Sequence, residues 1–178
     1  MARYRHYKNR GGPGDLIFAT TTALDFAHIL RRPEMKDLME TLILETHRRY
    51  QAQLFAYVVM NNHFHLVSRT PELHGSTWFM QRLKEKATKE LLPRLNDTES
   101  GLMAAQVGLD NRECWQRSFD SIKIYHRQVR GQKINYIHQN PVRAGLVNDI
   151  ASYRWSSARH FAASLWNPET GLDLERLK

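Results

Sequence analysis

The 178-residue sequence predicts an α+β fold, a ferredoxin-like (RRM-like) antiparallel sheet with helices on both faces. Three observations carry this expectation. Strand-like and helix-like runs succeed one another as strand, helix, strand, strand, helix, strand, which is the split βαβ pattern. The central hairpin places histidines on one side and apolar residues on the other, so the sheet has two unlike faces. A third helical run follows the last strand and can cover the second face.

The elements follow in chain order. Residues 3–10 interleave Arg3, Tyr4, Arg5, Lys8 and Arg10, a composition suited to phosphates and stacked bases and equally to a solvated basic tail. Gly11-Gly12-Pro13-Gly14 breaks the chain before the β-rich run from Leu16 to Thr22. It is no phosphate loop, because it lacks the Gly-Lys-Ser/Thr ending and precedes a strand. After Pro33, Met35, Leu38, Met39, Leu42 and Ile43 recur at helical spacing to about Tyr50. Leu54 to Met60 and His63 to Ser68 read as two strands joined by an Asn61-Asn62 turn of the kind that favours a tight hairpin. A second helix starts near Ser76 or Thr77 and runs to about Leu92, with Phe79, Leu83, Ala87 and Leu91 as its apolar line. From Pro93 to Glu113 the periodicity weakens into a loop or short inserted helix, after which Trp115 to Ile124 has strand character. A third helix extends roughly from His126 to Asn140, where Pro141 is expected to end it.

Composition narrows the class. The chain carries 26 basic against 18 acidic residues, a net charge of +8, which favours a polyanionic partner. A single cysteine, Cys114, excludes an internal disulfide, no apolar segment is long enough to span a bilayer, and the N-terminus does not resemble a signal peptide. A cytoplasmic protein without a membrane partner is expected. Residues 1–147 read as one domain, and residues 148–178 as a basic and aromatic extension packed on it.

Period-two alternation projects His63 and His65 together, away from Phe64 and Leu66. Two imidazoles so placed can chelate a metal or serve a structural role, and pattern alone leaves both open. On the third helix Ile134 and Ile137 define the buried stripe, and Tyr136 and Asn140, four residues apart, fall on its flank. An amide oxygen can ligate a cation, and a tyrosine oxygen beside a cation is a competent nucleophile for a phosphodiester.

Two longer motifs give these residues a family setting. Val59-Met60-Asn61-Asn62-His63-Phe64-His65-Leu66-Val67 resembles the metal-binding motif of the His-hydrophobic-His single-strand nucleases. The run from Tyr136 to Val147, Tyr-Ile-His-Gln-Asn-Pro-Val-Arg-Ala-Gly-Leu-Val, closely resembles the second hallmark of the REP-associated tyrosine transposases, IS200-like tyrosine transposases of that superfamily. Trp115-Gln116-Arg117-Ser118-Phe119 and Tyr153-Arg154-Trp155-Ser156-Ser157 resemble two further family segments, in the family's order.

The resemblance implies a transposase acting in DNA transposition and recombination, an endonuclease and strand transferase for single-stranded DNA near hairpins of palindromic REP elements. It implies Tyr136 as the nucleophile of a 5′-phosphotyrosine link, and His63 and His65 as ligands of a divalent metal ion, Mg or Mn. Asn140 falls where related transposases usually carry Gln as a third ligand, and Tyr125 is a rival tyrosine without the Tyr-Ile-x-x-Asn-Pro context. Arg143, Arg154 and Arg159 join the N-terminal cations as DNA-binding candidates. Relatives act as monomer or dimer. Two other classes fit parts of the pattern: a catalytically silent single-stranded nucleic-acid-binding protein, and a metal-dependent hydrolase without covalent intermediate.

Overall fold

The computed structural model describes residues 11–96, 113–162 and 165–177. Its centre is a four-stranded antiparallel sheet of β1 (Leu16–Thr22), β2 (Gln53–Val59), β3 (His63–Arg69) and β4 (Asp120–Lys123), in the order β2-β3-β1-β4. This is the ferredoxin-like arrangement the element order predicts. Helices α1 (Pro33–Arg49) and α2 (Ser76–Asn96) pack on one face, where Ile17, Ala19, Phe64 and Leu66 meet Met39, Ile43, Phe79 and Leu83. Helix α3 (Arg127–Arg143) covers the other, setting Ile134 and Ile137 against Phe18, Phe55, Val58 and Val67. Residue alternation on β1 and β3 thus feeds two separate cores.

A bulge between Leu54 and Ala56 breaks the alternation on β2. Phe55 and Ala56 both join the α3 core, while Leu54 and Tyr57 face α1 and α2. The outer edge of β2 is then covered by the C-terminal segment: Val59 N donates to Trp155 O at 2.9 Å and Ser157 N to Tyr57 O at 3.0 Å. Tyr153 Oη donates to Val59 O at 2.9 Å and Trp166 Nε1 to Phe55 O at 3.0 Å. An edge that would otherwise offer free backbone groups is closed. The short helix α4 (Ala158–Ala162) and the β5 (Trp166–Asn167) and β6 (Gly171–Leu172) pair complete this segment. Among the described residues no helix is long and apolar enough to cross a membrane.

Three local expectations are corrected, and a fourth, the tight Asn61-Asn62 hairpin, is met with Met60 N donating to His63 O at 2.8 Å. Helix α2 passes through Pro93 rather than stopping at Leu92, because Leu91 and Leu95 on the same face are both buried and hold the last turn. Helix α3 likewise passes through Pro141, which is itself buried, and ends at Arg143. Its stop is a Schellman arrangement: Leu146 N donates to Pro141 O and Gly145 N to Val142 O, both at 2.9 Å, with Gly145 at φ +68°. The strand read over Trp115 to Ile124 shrinks to Asp120–Lys123, since Trp115 makes only a lone bridge to Ala23 and the intervening residues loop out. The Asn61-Asn62 turn is tight, yet neither residue has the positive φ of a type I′ turn. Tertiary tethers hold it instead, Leu30 N on Asn61 O and Ala23 N on Asn62 O, each at 2.8 Å. Most of the expected loop after Pro93, residues 97–112, lies outside the described residues.

Candidate active site

Strand β3 carries His63 and His65 to the α3 face, with their ring centroids 4.8 Å apart. Opposite His65 in the register is Thr20 of β1, whose Oγ1 lies 2.7 Å from His65 Nδ1. His63 Nδ1 lies 2.7 Å from Asn62 Oδ1, and the Asn62 amide is oriented by donation from its Nδ2 to Phe26 O at 3.2 Å. Because Oδ1 can only accept, His63 carries its proton on Nδ1 and keeps its lone pair on Nε2. In both rings Nδ1 has a partner, Thr20 of β1 for His65 and Asn62 of the hairpin turn for His63, so Nε2 is the nitrogen left for a ligand.

Burial makes both imidazoles neutral at physiological pH. His65 is 5% exposed, and desolvation, reinforced by His63 and Lys133, pushes its pKa down to about 3. Desolvation also lowers His63, partly countered by the Asn140 amide beside it. Neutral imidazole is the form that binds metal. Among the described residues no three His, Cys, Asp or Glu side chains converge. Two imidazoles with the Asn140 amide are therefore the donor set at hand, and that mixed nitrogen and oxygen set suits a divalent cation such as Mn²⁺ while leaving positions for phosphate oxygens.

Tyr136 reaches the same place from above. Its ring lies 5.5 Å from the His65 ring and 5.8 Å from Phe18, edge-on to both, and remains 38% exposed. Asn140 follows one turn later, with its Nδ2 only 3.5 Å from Tyr136 O. The Arg143 guanidinium lies 5.5 Å over the Tyr136 ring. Helix α3 is fixed beneath by His138, whose Nε2 is 2.9 Å from Ser157 Oγ and whose ring packs on Phe161. Burial lowers the His138 pKa to about 4, so this anchor is also neutral.

The structure thus brings His63, His65, Tyr136, Asn140 and Arg143 together. Arg154 and Arg159 are not with them. Arg154 pairs with Asp37 at 3.1 Å and Arg159 with Glu40 at 2.9 Å, both on α1. Arg3, Tyr4, Arg5, Lys8 and Arg10 lie outside the described residues. Tyr125 is 72% exposed and precedes α3 rather than facing the histidines. Sequence reading missed Thr20 and Lys133: the first is visible only through the β1–β3 register, whereas the second stands three residues before Tyr136 and its Nζ lies 4.8 Å over the Phe18 ring. A concavity of about 820 Å³ between α2 and residues 113–119 shares no residue with this group.

Comparison with a solved structure supports the architecture. The chain is similar to a REP-associated tyrosine transposase bound to a REP hairpin, with TM-score 0.63 and 20% identity over 92% of this chain and 87% of that one. A putative transposase from Deinococcus radiodurans aligns with TM-score 0.48 and 19% identity over 78% of this chain and 97% of its own. At 20% identity the likeness to the first of these speaks for the fold alone. No curated protein matches the sequence. The profile of the family described as Transposase IS200 like matches residues 26–140, a span that holds both histidines, Tyr136 and Asn140, and with more than half of its length so matched the chain belongs to the IS200-like transposase family.

Proposed function

We propose that the protein is a metal-dependent single-stranded DNA endonuclease and strand transferase that cuts beside DNA hairpins through a 5′-phosphotyrosine intermediate on Tyr136. The observation that carries this reading is the placement of a half-exposed phenol on α3 over the buried neutral imidazole of His65, with the half-buried His63 ring beside it on β3. A phenol that only packed would not need that neighbour, and a metal pair without the phenol would serve simple hydrolysis.

In the proposed step Tyr136 Oη attacks the scissile phosphorus in line with the leaving 3′ oxygen. The Oη–P bond forms, the P–O3′ bond breaks, the phenol proton passes to solvent and the 3′ oxygen takes up a proton. One phosphodiester is exchanged for another, so the link can be resealed to a different 3′-hydroxyl. His63 and His65, with Asn140 as third donor, would hold a divalent cation, Mg or Mn, which supplies neutralisation of the non-bridging oxygens. Arg143, 5.5 Å over the Tyr136 ring, adds positive charge where the phosphate must sit. Arg154, although paired, is an exposed cation available to DNA at modest cost. Arg159, more enclosed against Glu40, and the N-terminal cations complete the proposed DNA contacts.

The test is a denaturing gel of the protein with end-labelled hairpin DNA carrying a single-stranded flank, in Mn²⁺ or Mg²⁺. A covalent protein–DNA band is expected for the wild type and none for Tyr136→Phe, which should still bind DNA. Cleavage without a covalent band would favour the hydrolase, and binding without either would favour the silent module. An undiminished band in Tyr136→Phe assigns the nucleophile elsewhere.

A further inference from the structure

At the end of the sheet remote from the histidines lies a polar basin of about 500 Å³, lined by Arg69, Lys123, Tyr125, Arg127 and Arg130 together with Gly14. We infer that this basin is a subsite for one phosphate and its adjoining base in the single strand that extends from the Tyr136 site, an inference that rests on the function proposed above.

Charge is the first support. Four cations line the basin against two carboxylates, Asp15 and Glu169. Asp15 is spent on Lys123 at 2.7 Å, and Arg69 is held by Gln53 Oε1 and Gly14 O, each at 3.0 Å. Arg127 meets Glu169 only at 3.9 Å, between side chains about three-quarters exposed, a pair that yields readily. The Arg130 side chain makes no hydrogen bond or ion pair with any described residue, and its guanidinium rests 5.2 Å over the Phe55 ring. Two guanidinium groups are therefore available to an incoming anion, and the rigid fork of each matches phosphate oxygens.

A ring stands beside them. Tyr125 is 72% exposed on the basin wall, and Lys123 Nζ lies 5.2 Å over it. An uncovered aromatic next to phosphate-ready cations is the pairing by which single strands are held, phosphates on the cations and bases on the ring. A small inorganic anion would have no use for Tyr125.

Position supplies the third support. Leu16 and Arg69 are paired four residues along the β1–β3 register from Thr20 and His65. That spacing corresponds to roughly 13 Å along the strands. On α3 the path runs from Arg127 and Arg130 to Lys133, whose charge already acts on His65, and then to Tyr136. From Arg130 to Tyr136 is about 9 Å of helix rise. The cations thus trace a route from the basin to the candidate nucleophile, with a separation of a few nucleotides.

The experiment measures equilibrium binding in the Tyr136→Phe background, by anisotropy, to hairpins whose single-stranded flank is lengthened one nucleotide at a time. Affinity should rise in a step when the flank reaches the basin. Arg127→Ala with Arg130→Ala should remove that step and reduce the slope of log affinity against log salt by about 1.4, two contacts at about 0.7 each. The double Lys variant should keep the salt slope. Tyr125→Ala should weaken binding roughly five- to hundredfold, Tyr125→Phe should not, and an abasic site at the critical position should erase the difference. A circular dichroism melt checks that each variant is folded. A folded Arg127→Ala, Arg130→Ala protein that retains both step and slope overturns the subsite while leaving the proposed function standing. Inorganic phosphate bound by wild type and lost in that variant, with no step on any flank, overturns it in favour of a free-anion site. Absence of all single-strand binding by the wild type overturns the proposed function first and the subsite with it.

Discussion

Phe64 and His65 are adjacent on β3, yet the sheet sends them to opposite environments. Phe64 is fully buried under α1 and α2 and meets Trp115 edge-on at 5.4 Å. His65 is almost as buried under α3 and stacks on Phe18 at 5.5 Å, but its other neighbours are Thr20, His63, Lys133 and Tyr136. The first face is closed by two helices and spends its burial on stability. The second has one helix, and at its margin burial serves to strip protons from imidazoles and to hold a phenol above them. The lesson is that depth of burial does not separate core from site; the partners do.

The largest effect should come from breaking the second face. His63→Ala with His65→Ala is expected to lower cleavage at least about a thousandfold, equivalent to some 4 kcal/mol of barrier, while the fold survives. Excess chelator should reproduce the loss in the unmutated protein. Mn²⁺ titration by calorimetry should show binding to the wild type and none to the double variant. Full cleavage in excess chelator sinks the metal reading. The same truncation next door should do the reverse: Phe64→Ala is expected to cost about 3–5 kcal/mol in chemical denaturation, because it removes a large ring from a closed core. Comparable stability losses for the two changes would mean that the faces do not differ as argued.

Much of this division is legible in the sequence, for physical reasons. Period-two alternation separates Phe64 and Leu66 from the histidines, and period 3.6 sets Ile134 and Ile137 apart from Tyr136 and Asn140. Both signals are local. Thr20 is not legible, because its place beside His65 depends on which residue of β1 the register puts there. Arg154 and Arg159 look like free cations in the sequence, and only the packing of the C-terminal segment on α1 reveals Asp37 and Glu40 as partners. The prolines mislead for a related reason: local chemistry says stop, while buried Leu95 and buried Pro141 itself make continuation the better packed choice. The sequence resemblance singles out Asn140-Pro141 as part of a motif, and the structure shows Pro141 as the start of a helix stop completed by Gly145.

Acid should probe the first face through His47. This ring is fully buried between Ile43 O, 2.7 Å from Nδ1, and Ser68 Oγ, 3.0 Å from Nε2, and its pKa is pushed down to about 4 by desolvation, with the Ile43 carbonyl opposing. The folded state therefore binds its proton later than the unfolded chain, whose histidine titrates near 6.5. Stability from keeping His47 neutral is fully present above about pH 6.5 and is lost as the pH falls toward 4, on the order of 2–3 kcal/mol across that window. Urea denaturation at several pH values measures it. His47→Gln should flatten the slope in that window by about one proton, and an unchanged slope would remove His47 as the source.

The smallest effect concerns the stop of α3, which belongs to the second face. Gly145 sits at φ +68°, and an added Cβ would meet nothing within 4 Å. Gly145→Ala therefore introduces no clash and costs only the left-handed backbone conformation, about 1 kcal/mol. Asn tolerates that conformation better, so Gly145→Asn should lose less than half as much. The helix stop it closes lies two residues beyond Arg143, which in turn sits over Tyr136, so a frayed end would loosen the cation above the phenol. Thermal melts should rank wild type, Asn and Ala in that order. Adduct formation should then fall only a few-fold in the Ala variant, because Tyr136 and Asn140 are held from below by Ile137 and His138 rather than by the cap. A loss of adduct as deep as that of the histidine variants would show that the cap, and not the packing beneath α3, fixes the nucleophile.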